Sequence, residues 1–359
     1  MRFLLLNQFG SASEAPTGRI LAELGAELKQ RGHQVHLIVS DAKYGKPRRG
    51  LKRIFAEGLS HVILLGQSLF CSKADAVISL TSPACLPVTA GIVAKLHRAH
   101  HFHWVMDLYP DVGVRLGELP RGPLIHLLSS LMRWAYREAE GVVSLDEDMR
   151  DYLRNSYGIE SMIVEPFPPE VTWPVTGPSP GLPRQWLYSG NFGRAHEIQV
   201  LLEIQKKLED QRVNARLILQ GQGPQFLSSR HAADQLGLRQ VEWKPFLPLP
   251  AFAEALLQSD VVVVTRKAEM KGLLLPSKLI LAELSGRTIL WIGDTDGKTA
   301  QRLSREGRHG VFAIEDAEKI AGWLQILFEQ KCPAPVVKPR PTNLIRQQSL
   351  RQWETILQQ

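Results

Sequence analysis

Residues 1–40 read MRFLLLNQFGSASEAPTGRILAELGAELKQRGHQVHLIVS, and this stretch decides the fold. An apolar run at 3–6 is typical of a buried parallel strand, and a second run at 35–39 has the same character. Between them a helix is predicted over 18–31, because apolar side chains recur there at helical spacing before Gly32. The order strand, loop, helix, strand predicts the beginning of a doubly wound α/β sheet.

The same alternation continues along the chain and then restarts after a proline-rich stretch, which favours neither a helix nor an interior strand. The chain of 359 residues has room for two cores. We therefore expect an α/β fold with two Rossmann-like domains facing a central cleft, where ligands of such sheets bind. The expected parts are an N-terminal domain over 1–165, a linker over 166–183, a C-terminal domain over 184–340, and a helix over 341–359 that packs back on the N-terminal domain.

The formal net charge is +7. Such a charge suits an anionic partner such as a nucleotide or a phospholipid, although many soluble proteins are equally basic without one. Basic residues concentrate just before an apolar segment at 51–70 that has helical spacing. The pair of features suits contact with an anionic membrane surface or a lipid-linked acceptor, and the alternative is a core-packed helix after a solvated loop. The basic residues assigned to this contact are Lys46, Arg48, Arg49, Lys52 and Arg53.

Three cysteines, Cys71, Cys85 and Cys332, stand far apart and form no metal-binding or disulfide pattern, which favours a reducing compartment. The apolar run at the N-terminus is too short for a signal peptide, and no stretch is long and apolar enough to span a bilayer. We expect a cytoplasmic protein, either soluble or peripheral on the inner face of the cell membrane.

The segment YSGNFGRAHE at 188–197 follows a predicted strand and precedes a predicted helix. Gly190 and Gly193 permit close approach of a ligand to the backbone, and a helix N-terminus offers free N–H groups to phosphate. Arg194 adds a fixed positive charge with two parallel donors. The alternative is an ordinary strand-to-helix turn with a surface arginine.

The segment KGLLLPSK at 271–278 repeats this arrangement after the most apolar strand, with Ser277 and Lys278 at the predicted helix start. The alternative is a capped helix with solvated lysines. Because both segments are basic and fall at the same edge of one predicted sheet, together they favour a diphosphate site that needs no metal. Gly221 and Gly223 form a tight turn after another strand of this sheet, which is weaker support.

In the N-terminal half, Gly18 opens the first helix and permits close approach to a ligand. Asp107 and Asp111 follow a strand, and either could accept a hydrogen bond from an acceptor hydroxyl or serve as a loop or cap residue. A histidine cluster at 97–103 has no cysteine or carboxylate to complete a zinc site. No P-loop, Gly-x-Gly-x-x-Gly or His-Glu-x-x-His pattern is present, so no metal or cofactor is expected.

Several segments, in this order, resemble glycosyltransferase family 4, in the branch of bacterial polysaccharide, capsule and O-antigen assembly. They are residues 1–40, WVMDLYPD at 104–111, SGNFGRAHE at 189–197, GLLLPSKL at 272–279 and DGK at 296–298. The resemblance implies a GT-B fold, a nucleotide-sugar donor that is often UDP-linked, retention of anomeric configuration, and glycan or polyprenyl-linked acceptors. Arg194 and Lys278 match the positions that neutralise the donor diphosphate. The donor-binding positions that it implies are Gly18, Gly190, Asn191, Gly193, Glu197, Gly221, Gly223, Ser277 and Leu279.

The sequence departs from the family at three positions. Two glutamates, eight positions apart, usually surround the donor sugar, and here the corresponding residues are Leu273 and Leu281. Met106 replaces a histidine that many members have before Asp107. These departures leave the mode of sugar recognition open.

We therefore expect a retaining glycosyltransferase for a hexosyl or N-acetylhexosaminyl group, with no nucleic-acid partner. Arg194, Lys278 and helix N-terminal amides would stabilise the leaving diphosphate, and Asp107 would orient the acceptor. The alternative suggested by the two leucines is a non-catalytic protein of the same fold that binds a nucleotide sugar or a partner. An epimerase is less favoured, because no acids and bases are found for the sugar site.

Overall fold

The computed structural model describes residues 1–10, 16–41, 51–175, 177, 183–329 and 338–358, with the backbone alone at 41 and 51–54. The chain divides into two units. The first unit contains Met1–Phe167, Gly272–Leu275 and Gln347–Gln359, and the second contains Pro168–Lys271 and Pro276–Arg346.

Strands and helices alternate along the first unit. They are β1 (Arg2–Phe9), α1 (Pro16–Gln30), β2 (Gln34–Asp41), α2 (Leu51–Leu69), β3 (Ala76–Ser79), α3 (Leu86–His97), β4 (His100–Trp104), α4 (Asp111–Arg115), α5 (Pro123–Arg137), β5 (Gly141–Ser144), α6 (Glu147–Tyr152) and β6 (Met162–Ile163). The six strands pair in parallel in the order β2-β1-β3-β4-β5-β6. The order reverses between β1 and β3, which makes this pair the switch point of the sheet.

The second unit repeats the alternation. It contains β7 (Arg184–Asn191), α7 (Gln199–Asp210), β8 (Ala215–Gln222), α8 (Phe226–Gln235), β9 (Val241–Lys244), α9 (Leu249–Gln258), β10 (Val261–Thr265), α10 (Lys278–Leu284), β11 (Thr288–Ile292), α11 (Lys298–Arg305), β12 (Gly310–Phe312) and α12 (Ala317–Glu329). Its six strands are also parallel, in the order β12-β11-β10-β7-β8-β9. Here the switch point lies between β7 and β10.

Continuous apolar runs explain why both sheets are parallel and covered by helices. All five residues of β10 are buried, as are six consecutive residues of β1. One core of the second unit packs strand residues such as Trp186 and Leu217 against apolar faces of α7 and α12, including Leu201 and Leu324. The first unit has a comparable core between its sheet, α2 and α3.

The last helix, α13 (Thr342–Leu357), begins in the second unit and ends in the first. Trp353 of this helix is 1% exposed, and its ring centroid lies 5.2 Å from that of Trp104 in an edge-to-face contact. Trp104 makes a second such contact with Phe167. A buried aromatic cluster of this kind contributes a large apolar area, so it holds the end of the helix against the first unit.

The predicted fold class, with two Rossmann-like halves, is confirmed. Two details differ from the sequence-based expectation. The chain changes units between Phe167 and Pro168, inside the predicted linker, but Gly272–Leu275, which we expected in the C-terminal domain, belong to the first unit. The sequence also predicts a helix over 147–157, whereas α6 ends at Tyr152 and the chain continues as a π-helical turn, Leu153–Tyr157, that stops at Gly158 with a φ of 69°. Propensity cannot predict a π-turn, which depends on tertiary contacts.

Candidate functional site

The two segments predicted to bind phosphate come together at the switch point of the second sheet. Gly190 lies near the carboxyl end of β7, and its φ is 151°. Lys278 begins α10, which follows β10 in the chain. A Cβ atom built on Gly190 would lie 2.9 Å from Nζ of Lys278, so the lysine crosses the bare backbone of this glycine. Ligands of open α/β sheets bind at such a point.

Three glycines shape the carboxyl edge of β7 and β8. Gly190 and Gly221 are register partners, and Gly221 and Gly223 have φ values of 136° and 149°. A Cβ atom on Gly221 would lie 1.9 Å from the carbonyl oxygen of Gly190, and one on Gly223 would lie 2.3 Å from Oδ1 of Asn191. The protein backbone itself therefore requires glycine at 221 and 223, whether or not a ligand approaches.

The turn between β7 and α7 is held by hydrogen bonds from neighbouring segments. Nε2 of Gln225 donates to the carbonyl oxygens of Gly193 at 2.6 Å and His196 at 3.2 Å. The N–H of Lys267 donates to the carbonyl oxygen of Ala195 at 3.0 Å. Arg194 lies on this fixed turn and is exposed. Because the backbone is fixed, a ligand that meets Arg194 would not have to order the loop first.

The ammonium group of Lys278 is buried and has no hydrogen-bond partner among the described residues. Its Nζ lies 3.7 Å from the centroid of the Tyr188 ring, a cation–π distance. Burial lowers the pKa of Lys278 well below its usual range. A buried cation without an anionic partner is unfavourable, and an anion bound beside it would remove that cost.

His196 adds a neutral polar group beside the lysine. Its Nδ1–H donates to the carbonyl oxygen of Thr265 at 2.7 Å. Burial, and then the charge of Lys278, lower the pKa of His196 to about 3, so the ring is neutral and its Nε2 is an acceptor. His196 lies within the predicted segment, yet nothing in the sequence pattern assigned it a role.

Other basic residues near these segments form ion pairs within the protein. Arg266 is buried, and its Nη2 lies 2.7 Å from Oδ1 of Asp294. Lys267 forms an ion pair with Glu197 at 3.2 Å. The predicted donor-binding residue Glu197 is therefore paired with a lysine of its own unit. The positive charge counted from the sequence around 266–267 is therefore already paired.

Two further predicted positions begin α10. The hydroxyl of Ser277 makes no cap hydrogen bond, and the residue is exposed. Leu279 is buried, and its N–H donates to the carbonyl oxygen of Pro276 at 3.0 Å. The hydroxyl of Ser277 is therefore not used as a helix cap, the N–H of Leu279 already has an acceptor, and donor binding by these two residues stays a prediction.

Asp107 lies beyond the end of β4 in the first unit. Its N–H and that of Met106 donate to Oγ1 of Thr81 at 3.3 Å and 2.8 Å, and Asp107 forms an antiparallel bridge with Leu274. Burial raises the pKa of the Asp107 carboxyl to about 6. This carboxyl therefore changes charge near neutral pH, as is useful for a group that holds a hydroxyl proton.

The second candidate aspartate, Asp111, has a structural role instead. The hydroxyl of Tyr152 donates to its Oδ1 at 2.8 Å, and the hydroxyl of Tyr157 donates to its Oδ2. Burial raises the pKa of Tyr152 to about 12, and the negative charge of Asp111 adds to this. The π-helical turn brings two tyrosines five positions apart to one carboxylate.

Gly18 lies inside α1, where a Cβ atom would be 2.4 Å from the carbonyl oxygen of Gly10. Glycine at this position allows the helix to pack closely on the end of β1. The structure thus gives Gly18 a packing role, and its contact with a donor stays a prediction.

The histidine cluster is engaged in structural hydrogen bonds. His101 and His103 share the hydroxyl of Ser79 at 3.1 Å and 2.8 Å, and His97 bonds to the backbone at Ser68 and Ala74. Within the described ranges, no group of three or more His, Cys, Asp or Glu could hold a metal ion. Cys71 and Cys85 are free thiols, and Cys332 lies outside the described residues.

The two leucines at the family's glutamate positions are both buried. Leu273 is fully buried, and its carbonyl oxygen accepts the N–H of Leu108 at 2.9 Å within the first unit. Leu281 lies in α10 of the second unit. Neither side chain can donate or accept a hydrogen bond, so a sugar would have to be held by other groups.

The predicted membrane segment is the helix α2. Lys46, Arg48 and Arg49 lie outside the described residues, and Lys52 and Arg53 lie in α2 with side chains that are not described. The helix carries exposed apolar residues on one face and buried Leu64 on another. The exposed residues include Phe55 at 74%, Leu59 at 48% and Val62 at 67%. In the part of the chain that the structure describes, no helix has the length and apolar character needed to cross a membrane.

Two family models match the chain: "Glycosyl transferase 4-like domain" over residues 17–170 and "Glycosyl transferases group 1" over residues 173–275. Together they cover most of both units. With the two parallel sheets, they define the class of the protein as a two-domain α/β transferase fold. The chain belongs to the GT-B glycosyltransferases of the family 1 and family 4 type.

Individual relatives are distant. The chain is 25% identical over 274 residues to "Probable glycosyltransferase WbjE" of Pseudomonas aeruginosa; the match covers 72% of this chain and 66% of that protein. The structure of "lipopolysaccharide outer core galactosyltransferase WaaB" is similar with a TM-score of 0.65 at 12% identity, over 99% of each chain. HepE of Anabaena in complex with UDP has a TM-score of 0.57 at 11% identity, over 99% of this chain and 100% of its own. At these identities the structures show a shared fold.

We expect Lys278→Met to raise the free energy of unfolding of the nucleotide-free protein by about 1–3 kcal/mol at neutral pH, because it removes a buried polar group without a partner. Between the lowered folded pKa of Lys278 and its usual unfolded value, only the unfolded chain binds the proton. Wild-type stability should therefore rise with pH in this window, and the Met variant should lack that rise.

Urea denaturation at pH values from about 7 to 10 measures both effects, within the range where an ordinary lysine is still charged. Lys271→Met is the matched control, because Lys271 is a partly exposed residue of the same unit, paired with Asp296. A Met variant that is less stable than wild type and keeps its pH slope would contradict the assignment of a buried amino group whose pKa is lowered by burial.

Proposed function

We propose that this chain transfers a sugar from a nucleoside diphosphate donor, and that the donor diphosphate binds at the switch point of the second sheet. The single observation that carries this proposal is the buried ammonium of Lys278, which has no partner among the described residues. A diphosphate beside Gly190 would give this cation the anion that it lacks. Arg194, on the fixed turn, is the second cation assigned to the donor.

The chemistry places negative charge where these groups lie. The bond from the anomeric carbon to the β-phosphate oxygen breaks, and the charge that develops on that oxygen is stabilised by Lys278 and Arg194. Binding also raises the proton affinity of Lys278, because an anion nearby favours the charged form. These two cations take the place of a divalent metal, so no cofactor is proposed. Asn191, Glu197 and Ser277 remain among the residues proposed to bind the donor.

Retention of configuration is proposed on the resemblance to family 4. The acceptor oxygen bonds to the anomeric carbon from the face that the diphosphate leaves, and the departing phosphate takes the acceptor proton. No protein base is then needed. Asp107, whose carboxyl has a pKa of about 6, is proposed to orient the acceptor hydroxyl as its carboxylate.

UDP is the proposed donor nucleotide, with a hexose or an N-acetylhexosamine as the transferred sugar. Support comes from HepE, solved in complex with UDP, and from WaaB, described as a lipopolysaccharide outer core galactosyltransferase. We propose that the acceptor is a glycan or a polyprenyl-linked glycan in cell-surface polysaccharide assembly, and that the protein works in the cytoplasm.

A membrane-facing position is proposed from α2. Its exposed residues Phe55, Leu59 and Val62 lie three and four positions apart and so share one face of the helix. Lys52 and Arg53 precede them in the same helix. Apolar residues beside basic ones suit an anionic lipid surface, to which a lipid-linked acceptor would also be attached.

A second candidate is a non-catalytic protein that binds a nucleotide sugar. The burial of Leu273 and Leu281, where the family usually has glutamates, favours it. It differs from the first proposal in one measurable outcome: the protein would bind UDP-sugars with no transfer and no hydrolysis.

We expect Arg194→Ala and Lys278→Met each to lower sugar transfer by about 10²–10³-fold, because each removes one preorganised charge from the leaving diphosphate. Turnover of a panel of UDP-sugars, followed as UDP release, measures this effect. Lys206→Ala is the control, since Lys206 is a solvent-facing residue of α7 paired with Asp210. Transfer should persist in EDTA. Turnover at the wild-type rate in both site variants would rule out the assignment.

For Asp107 we expect kcat to rise with pH through about 6 as the carboxyl ionises, because the carboxylate is the acceptor of the hydroxyl hydrogen bond. In the Asp107→Asn variant, kcat should no longer rise with pH through this range and should be about 10²-fold lower, while the affinity for UDP stays unchanged. A pH profile of kcat with UDP titrations of each variant provides the measurement, and Asp234→Asn on exposed α8 is the control. An Asn variant with the wild-type pH profile would contradict the role.

For α2 we expect the triple variant Phe55→Ser, Leu59→Ser, Val62→Ser to lose at least about tenfold in affinity for vesicles that contain phosphatidylglycerol, since each apolar side chain contributes about 1.5–3 kcal/mol when buried. Cosedimentation with vesicles measures the loss. Leu227→Ser with Ile326→Ser is the control, because these exposed apolar residues lie in the second unit. Equal sedimentation of the triple variant and wild type would contradict membrane contact by α2.

A further inference from the structure

The segment Gly272–Leu275, which we call the strap, lies between β10 and α10 in the chain but belongs to the first unit. The carbonyl oxygen of Leu273 accepts the N–H of Leu108 at 2.9 Å, and Leu274 forms an antiparallel bridge with Asp107. Both contacts fall on the backbone of Asp107 and of the residue after it. The strap therefore pairs with the residues that carry the proposed acceptor carboxyl.

Gly272 holds the beginning of the strap on α6. Its φ of 74° lies in the left-handed region, where a side chain causes strain. A Cβ atom at this position would lie 2.8 Å from the carbonyl oxygen of Asp148 and 3.0 Å from Cβ of Tyr152, and both residues belong to α6. Glycine thus permits both the backbone conformation and the close approach to the helix.

The helix α6 is itself tied to the loop that contains Asp107. The hydroxyl of Tyr152, the residue that Gly272 approaches, donates to Oδ1 of Asp111 at 2.8 Å. Asp111 lies four positions after Asp107 in the chain. The strap contacts α6 at one end and Asp107 further along, and α6 in turn holds Asp111. The loop from 107 to 111 is therefore held at both of its ends.

The surroundings of the Asp107 carboxyl are mainly apolar. Leu108 and Leu273 are both fully buried, and the strap carries no titratable side chain. From the segment after β3, Thr81 contributes a hydroxyl that already accepts two backbone N–H groups. The carboxylate of Asp111 is occupied by two tyrosine hydroxyls. Burial raises the pKa of Asp107 to about 6, as expected for a carboxyl under an apolar cover.

We propose that the strap is a positioning element for Asp107: Gly272 seats it on α6, and Leu273 covers the carboxyl. This inference rests on the proposed function, because it takes Asp107 as the group that orients the acceptor hydroxyl. The strap acts on transfer through Asp107 alone. A carboxyl side chain at 273 would add a second negative charge in the same buried place, so a leucine suits this role.

The variant Gly272→Ala tests the proposal, because its Cβ atom would meet the carbonyl oxygen of Asp148 and displace the strap from α6. We expect kcat to fall by about 10- to 100-fold, the loss that a small misplacement of a reacting group causes. Without its cover, Asp107 should titrate nearer the usual aspartate value of about 4. The rise of kcat with pH should move down with it, so that activity at pH 5, relative to the plateau, increases about tenfold.

The affinity for UDP, measured by isothermal titration, should stay unchanged, because Lys278 and Gly190 belong to the second unit. Gly32→Ala is the matched control. Gly32 belongs to the same unit as the strap and has a φ of 84°, but no atom lies within 4 Å of its Cβ position. This control carries the same kind of backbone strain without a collision, so it should keep the wild-type kcat and pH profile.

The variant Leu273→Ala removes part of the apolar cover and keeps Gly272, so it tests the strap if Gly272→Ala does not fold. The pH at which kcat rises should again be lower, with a smaller loss of kcat. ¹³C NMR of nucleotide-free protein with labelled aspartate follows the same carboxyl without turnover, and Asp107→Asn identifies its signal. Thermal unfolding shows which variants are folded.

A titration of Asp107 that keeps its wild-type midpoint in the folded strap variants would overturn the proposal, whatever happens to kcat. An equal loss of kcat and of UDP affinity in Gly272→Ala would also overturn it, since the strap would then act on the donor. A wild-type chain without turnover, in which the NMR midpoint still falls on strap substitution, would contradict the proposed function and support the cover of Asp107 by the strap.

Discussion

The unpaired, buried ammonium group of Lys278 is the constraint on which the site in the second unit depends. Its Nζ lies over the Tyr188 ring and against the bare backbone of Gly190, so the described residues supply a cation–π contact and no hydrogen-bond partner. By contrast, Arg266, which has no exposed surface, is paired with Asp294. Arg266 thus has its counter-charge within the unit, whereas the proposed donor diphosphate would supply one for Lys278.

The backbone around Lys278 is already fixed in the ligand-free structure. At the switch point, the chain connections that follow the parallel strands β7 and β10 run in opposite directions along the sheet. The glycines at 190, 221 and 223 allow the adjacent strand ends to approach so closely that a Cβ atom at any of these positions would collide with a neighbour. Gln225 fixes the turn that carries Arg194. Preorganisation of this kind matters because a charge held in place stabilises a developing charge without reorganisation.

Much of this arrangement was predictable from the sequence. Apolar runs and helical spacing located the strands, and basic residues after two strands located Lys278 and Arg194 at one sheet edge. The sequence could not predict the hydrogen-bond partners and the burial of each side chain. Asp107 and Asp111 are equivalent in the pattern, yet Asp111 is held by Tyr152 and Tyr157 through a π-turn. The return of Gly272–Leu275 to the first unit likewise depends on tertiary pairing with the 107–108 segment, which periodicity cannot show.

The two sheets place different chemistry at corresponding positions. Beyond the strand ends of the second sheet lie a buried lysine amino group with no hydrogen-bond partner among the described residues, an exposed arginine and a neutral histidine, a set that suits a diphosphate. Beyond those of the first lies Asp107, a carboxyl whose burial keeps its charge adjustable near neutral pH, with its backbone fixed by Thr81. The proposed transfer needs a cation beside the leaving diphosphate and a hydrogen-bond acceptor for the acceptor hydroxyl, and each sheet carries one of these two groups beyond its strand ends.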